Sequence, residues 1–191
     1  MKNNKITIVA LFGPAGSGKD YLLNQFLKKE SEEEYNGIIS QTTRPPRENE
    51  KDGVHYYFKT EQQFQNDIKE NNLLEWTSFR DWYYGTNYYA LERDKINIGV
   101  FNIEGIRTLL NDSRVEVYPI AISASPKTRL IRQLTREQNP NIKEIFRRYE
   151  ADERDFSFVD FPYKIVYNNN ETNDSEIELS NLVNSLSNFF K

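Results

Sequence analysis

Gly13-Pro14-Ala15-Gly16-Ser17-Gly18-Lys19-Asp20 follows directly on the apolar run Ile6-Thr7-Ile8-Val9-Ala10-Leu11-Phe12, and behind it Tyr21, Leu22, Leu23, Phe26 and Leu27 recur at helical spacing. A strand running into a glycine-rich turn and then into a helix is the setting of a P-loop. The glycines let successive backbone N–H groups turn inward around an oxyanion. The helix N-terminus adds partial positive charge, and Lys19 extends to the terminal phosphates. The bland alternative is an ordinary glycine turn between strand and helix; the strand, the glycine spacing and the lysine together favour phosphate. One letter departs from the pattern. Asp20 stands where a Ser or Thr hydroxyl would hold Mg²⁺.

Working outward, apolar runs and helical stripes alternate, so a parallel sheet wrapped by helices is the expected class, of the P-loop NTPase type. Core strands are expected near 5–12, 37–40, 97–102, 115–122 and 163–167, and helices near 19–29, 104–111, 126–138, 141–155 and 175–190. Residues 40–95 break this rhythm with short aromatic strands, a turn at Asp52-Gly53 and a helix around Glu61–Glu70, and read as a small mixed α/β insert. The whole chain then reads as one domain, with a core of 1–39, 96–125 and 156–191, the insert, and a helical lid over 126–155. His55 is expected in a strand rather than in catalysis. The last helix carries Leu179, Leu182, Val183, Leu186 and Phe190 on one face, with Ser175 and Glu178 as a capping box. That face is expected on the sheet rather than on a membrane, because the polar face is not basic.

Composition narrows the field. The 191 residues suit one compact unit, and 12 Tyr, 12 Phe and 2 Trp supply core material despite a mean hydropathy of -0.79. With no cysteine, neither disulfides nor a thiolate zinc cluster is available. No apolar run approaches ~18 residues and the N-terminus carries no apolar signal region, so a cytoplasmic protein off the membrane is expected. A net charge of -4 gives no reason to expect nucleic acid.

The charge is unevenly placed. Residues 127–148 hold Lys127, Arg129, Arg132, Arg136, Lys143, Arg147 and Arg148 against Glu137 and Glu144. Such a run is usually a solvated helix face. Here Leu130, Ile131 and Leu134 form an apolar stripe while Arg129, Arg132 and Arg136 recur on another face, and arginine's planar fork suits phosphate oxygens.

Four further blocks decide which P-loop protein the chain resembles. Ser40-Gln41-Thr42-Thr43-Arg44-Pro45-Pro46-Arg47, Asp52-Gly53-Val54-His55-Tyr56-Tyr57-Phe58, Leu74-Glu75-Trp76 and Tyr83-Tyr84-Gly85-Thr86 follow in order. In motif, order and spacing, over residues 6 to about 168, the chain resembles the guanylate kinases. The two prolines also stiffen the strap that carries Arg44 and Arg47. The resemblance implies ATP-dependent phosphorylation of a nucleoside monophosphate, GMP or dGMP, with Mg²⁺ accompanying ATP, in a monomer or homodimer. It implies an acceptor-phosphate clamp of Arg44, Arg47, Tyr56 and Tyr84, and a guanine reader of Glu75, Ser40 and Thr86 with Asn102 nearby. Chemistry agrees: a carboxylate accepts from guanine N1–H and N2–H, and hydroxyls donate to O6, a pairing adenine cannot match. Gly13 to Asp20, Arg132 and Asn168 fall on the ATP side. Lys19, Arg44, Arg136 and Arg147 are the expected catalytic cations, with Arg148 in place of Arg147 if the register slips.

Such a reaction needs positioning and charge neutralisation rather than a nucleophilic His or Cys. The chain departs from the family at Val100 and Asn102, where acids are usual, and at Glu137, where a glycine is usual. Asp20 is therefore the expected metal ligand. The alternative function is a guanylate-kinase-like module with weakened chemistry that binds nucleotide or protein.

Overall fold

The computed structural model describes residues 5–46, 50–79, 81–136, 138–169 and 174–187. In chain order the elements begin with β1 (Ile6–Phe12), α1 (Lys19–Lys29), β2 (Tyr35–Gly37), β3 (Gln41–Thr42), β4 (Tyr57–Phe58) and α2 (Glu61–Lys69). They continue with β5 (Leu73–Phe79), β6 (Trp82–Asn87), a 3₁₀ turn at Tyr88–Ala90, β7 (Ile96–Val100) and α3 (Ile103–Leu110). The rest is β8 (Val115–Ser123), α4 (Pro126–Thr135), α5 (Ile142–Asp155), β9 (Lys164–Tyr167) and α6 (Asp174–Ser187).

The continuous apolar run of β1 is buried along its whole length, as a central strand covered on both faces must be. It pairs in parallel with β7 on one side and β8 on the other, in a five-stranded sheet of order β2-β7-β1-β8-β9. Its side chains alternate between two cores. Ile6, Ile8, Ala10 and Phe12 join Ile103, Ile106 and Leu109 of α3, while Val9 and Leu11 join Leu22 and Phe26 of α1 and Leu179 and Val183 of α6. Phe12, at the end of β1, lies edge-on to Phe161 and Tyr163, closing the core directly below the glycine loop. The connection after β1 runs through α1 to β2 on one side, and that after β7 runs through α3 to β8 on the other, so the carboxyl ends of β1, β7 and β8 frame the crevice where α/β sheets bind ligands.

The insert is a second, four-stranded mixed sheet of order β4-β3-β6-β5. Thr60 and Gln63 cap α2 reciprocally, and Phe64 of α2 is fully buried, stacked on Tyr83. Leu74 of β5 belongs to the same core as α3, so the insert rests on that helix.

Fold class and element order are as the sequence predicts. Four local expectations change. The second core strand is Tyr35–Gly37 rather than 37–40, and Gln41–Thr42 goes to the insert instead, so Ser40 lies between the two sheets. His55 stands in the turn after Asp52, its Nδ1 accepting from Lys51 N at 3.1 Å, and not in a strand. Ser175 lies inside α6, which begins at Asp174, and donates to Asn168 Oδ1 at 3.3 Å instead of capping. The helix expected over 126–138 ends at Thr135. The side chain of Leu186, and all of Phe190, lie outside the described residues.

One buried polar residue holds the sheet to the insert's exit. Asn97, fully buried in β7, donates to Glu92 O at 2.8 Å and to Thr7 O and Lys95 O at 3.1 Å. Its Oδ1 accepts from Asn36 Nδ2 at 2.7 Å and Glu92 N at 2.8 Å. Asn97→Ala strands several of these groups without water, and is expected to lower the unfolding free energy by about 2–4 kcal/mol in a urea titration.

Candidate active site

The loop between β1 and α1 turns through left-handed conformations, with Gly16 at φ +79 and Gly18 at φ +86. A Cβ at Gly16 would lie 2.5 Å from Arg129 O, so glycine is required there twice over. Gly18 is the N-cap of α1 and provides no side-chain cap. Helices α2, α3, α4 and α5 are all capped by a side chain, from Thr60, Asn102, Ser125 and Asn141. The N-terminus of α1 is thus left open as an anion site, with Lys19 beside it.

Turning the N–H groups inward turns carbonyls outward, and these are met by α4 and the end of β9. Arg132 Nη1 donates to Gly16 O at 3.0 Å and Ser17 O at 2.9 Å, and its Nη2 to Asn168 O at 2.9 Å. Asn168, itself buried, donates to Ser17 O at 3.0 Å. Arg129 is 5% exposed; its Nε donates to Ala15 O at 3.2 Å. Its fork reaches Glu153 and Asp152, each at 3.1 Å, over the ring of Tyr149 at 4.9 Å. Asp152 Oδ2 in turn accepts from Ala15 N at 2.7 Å.

Arg129 and Arg132 share one face of α4. Its arginine face packs against the loop, while Ile131 and Leu134 of the apolar stripe are 49% and 41% exposed. The cause is the row of outward carbonyls, which needs donors that an apolar stripe lacks. Arg129, Asp152 and Glu153 were not singled out from sequence as site residues. Arg129 had a signal in its spacing with Arg132; the two acids look like any others on a charged helix.

Between the loop and the insert lies a cleft of about 680 Å³ lined by Gly13, Lys19, Ser40, Tyr56, Glu75, Tyr84 and Asn102, with Asp152 at its edge. A second cavity of about 500 Å³ shares Ser40, Tyr56 and Tyr84 and adds Asp20, Arg44, Glu50 and Arg136. Arg44, 7% exposed, is held by Glu50 Oε1 at 2.9 Å and donates to Pro45 O at 2.7 Å. Its guanidinium lies over Tyr56 at 5.6 Å. Burial, followed by the negative charge of Asp20, pushes the Tyr56 hydroxyl up to about 12, so Tyr56 is a donor at any ordinary pH.

Glu75 sits deepest. It is 6% exposed, its neighbour across the sheet is Thr86, and Ser40 Oγ lies 3.2 Å from Thr86 Oγ1. Burial pushes the Glu75 carboxyl up to about 7, against hydrogen bonds from the Thr86 side chain and backbone. A Cβ on Gly105 in α3 would come 2.8 Å from Glu75 Oε2, so a glycine in that first turn leaves room for the carboxylate.

The structure therefore brings together Lys19, Ser40, Arg44, Tyr56, Glu75, Tyr84, Thr86 and Arg136, drawn from separate stretches of chain. It puts others elsewhere. Arg132 and Asn168 brace the loop from outside, lining neither cavity. Arg147 pairs with Glu144 at 2.9 Å on the exposed side of α5, and Arg148 shares the same acid. Asn102 lines the cleft, but its Oδ1 caps α3 by accepting from Gly105 N at 2.6 Å. Ser17 is fully buried beneath the loop. Arg47 and Glu137 lie outside the described residues.

The sequence profile of the family described as "Guanylate kinase" matches residues 5–186. The chain belongs to the guanylate kinase family. A guanylate kinase of Sulfurimonas denitrificans is 32% identical over 174 residues, 88% of this chain and 84% of that protein. One from Campylobacter jejuni (strain RM1221) is 30% identical over 164 residues, 83% and 80% of the two chains. One from Desulfitobacterium hafniense reaches 41% identity over 93 residues, about half of either chain. Among solved structures, a guanylate kinase from Anaplasma phagocytophilum superposes with a TM-score of 0.69 over 95% of this chain and 86% of its own, at 18% identity, a likeness of fold. No described helix is long and apolar enough to cross a membrane.

The raised carboxyl of Glu75 makes stability depend on pH. An unfolded glutamate ionises near 4.5, so between there and about 7 the folded chain holds a proton that the unfolded chain has lost. Stability should fall as pH rises through this window and level off above it, by on the order of 3 kcal/mol in total. Denaturant midpoints from pH 4 to 8 check this; Glu75→Gln should flatten that part of the curve.

Proposed function

We propose that this protein transfers the γ-phosphoryl group of ATP to GMP or dGMP, releasing ADP and the nucleoside diphosphate. The observation that carries the reading is one cleft in which Lys19 of the glycine loop faces Ser40, Tyr56, Glu75 and Tyr84. In it a donor-phosphate site and a buried carboxylate with hydroxyl neighbours face each other.

On this reading the open N-terminus of α1 and Lys19 hold the donor phosphates. Arg44, Tyr56 and Tyr84 hold the acceptor phosphate, with Arg47 as a further cation. An acceptor oxygen attacks the γ-phosphorus in line as the bond to the β-bridging oxygen breaks, and that oxygen leaves with ADP. No side-chain base is needed, because a phosphate monoester with a second pKa near 6 is largely ionised at neutral pH. Lys19 and Arg136 reduce repulsion between the two polyanions and follow the charge as it moves. Glu75 accepts from guanine N1–H and N2–H, and Ser40 and Thr86 donate to O6. Adenine, with no donor at N1, would leave Glu75 unpaired in a dry pocket, a heavy discrimination.

The residues present also fit Mg²⁺. This ion takes one or two carboxylates and completes its shell with phosphate oxygens and water. Asp20 is exposed on the second cavity, and its charge is felt at Tyr56, so a carboxylate faces the gap between donor and acceptor. Asp20 would hold the ion, which would offset phosphate charge there; Val100, at the same cavity, offers no ligand.

A coupled ADP-release assay with ATP against GMP, dGMP, AMP, dAMP, CMP and UMP tests the reading. GMP or dGMP should be preferred by at least about a hundredfold over AMP. Lys19→Ala should leave the fold and abolish transfer, and Glu75→Gln should damage guanine nucleotides selectively. Activity of Lys19→Ala near that of the parent chain overturns the proposal.

For Asp20, the measurement is a Mg²⁺ titration at saturating ATP and GMP. Asp20→Asn should raise the Mg²⁺ requirement, and Asp20→Ser should restore part of the activity. An unchanged titration for Asp20→Ala leaves Asp20 as a helix-dipole acid alone.

A further inference from the structure

The crest of the glycine loop already holds an anion belonging to the protein. One oxygen of Asp152, on α5, accepts from Ala15 N at 2.7 Å and from Arg129 Nη2 at 3.1 Å. A loop N–H and an arginine fork are the partners a phosphate oxygen takes. The carboxylate lies on the cleft with Gly13, Lys19 and Tyr84, and the charge of Lys19 acts on it. Ala15 belongs to the arm of the loop that leaves β1, whereas Gly18, Lys19 and Asp20 form the arm that opens α1. A triphosphate with its inner phosphates over the helix N-terminus extends its terminal phosphate along the first arm, toward the acceptor side.

We propose that Asp152 is an internal stand-in for the donor's terminal phosphate, a specificity-determining residue that a nucleoside triphosphate must displace and a diphosphate need not. This rests on the donor reading given above. Arg129 is built for the exchange. When Asp152 leaves, Arg129 keeps Glu153 at 3.1 Å, Ala15 O at 3.2 Å and the ring of Tyr149, so it stays satisfied on one side and presents Nη2 to the incoming phosphate. After transfer, Asp152 returns to Ala15 with ADP still seated, and the loop has no empty anion site in which inorganic phosphate could lodge. Part of the triphosphate's binding energy is spent on the displacement, so its affinity is set below what the loop alone would give.

The test is calorimetric binding of ADP and of β,γ-methylene-ATP, each with Mg²⁺, to the parent chain, Asp152→Ala and Asp152→Asn. Asp152→Ala should tighten the triphosphate analogue about tenfold and change ADP by less than about twofold. Asp152→Asn keeps an acceptor for Ala15 N but loses the charge, and should fall between; it carries the test if the alanine variant does not fold. In steady state the KM for ATP should fall with no parallel rise in kcat. Equal shifts for the two nucleotides, a weakened analogue, or a raised Mg²⁺ requirement overturns the proposal. If those results come with normal kinase activity in the parent chain, only the role of Asp152 falls. A parent chain that binds neither nucleotide removes the donor reading itself.

Discussion

A peptide loop that gathers its N–H groups around an anion cannot hide its carbonyls; they point the other way and need donors of their own. In this chain Ala15 O, Gly16 O and Ser17 O are met by Arg129, Arg132 and Asn168. That constraint decides how α4 is turned, why an arginine is buried there, and why α5 brings acids to the loop. It also sorts the arginine cluster. Two of its members support the loop's backbone, while Arg136 alone of them reaches a cavity wall. The result is a phosphate loop whose shape is held from behind by Arg132 and Asn168, with Arg129 at its crest.

The acceptor side obeys a different rule. On the proposed reading its recognition groups come from a small sheet that rests on α3, and burial is what would give them selectivity. Glu75 in water would be an ordinary acid indifferent to its partner. Enclosed by β5, β6 and the glycine turn of α3, it depends on its hydrogen bonds, and leaving them unmade carries a cost that water would otherwise remove. Arg44 is held in a similar way, by Glu50 and by the aromatic faces of Tyr56 and Phe58, so its fork is oriented before any phosphate arrives.

Much of this was legible in the sequence. The buried run of β1, the glycine loop and Lys19 are local patterns, and the motifs of the insert carry their meaning in order and spacing. The partners of those residues were not legible. Glu50 for Arg44, and Asp152 and Glu153 for Arg129, come from segments whose acids have no periodicity to mark them. The packing of α4 is not legible from its apolar stripe, since hydrophobic patterning assumes a core on one side and here the neighbour is a ring of carbonyls. The shift of β2 to Tyr35–Gly37 has a similar origin. Ile38 and Ile39 read as the end of a core strand, yet the next residues, Gln41 and Thr42, are claimed by β6 of the other sheet.

The placement of β1 at the middle of its sheet has a kinetic consequence. Ile6–Phe12 is made before both of its partners, Ile96–Val100 and Val115–Ser123, which follow only after the whole insert. Its buried apolar face therefore has no sheet to join for most of synthesis, while β5 and β6, joined by a tight connection, can pair as soon as they appear. The β5–β6 hairpin is local in sequence while the pairings of β1 are not, so that hairpin is the natural early folding unit. The glycine loop, which needs β1, β8 and α4 together, is among the last parts of the molecule to acquire its shape.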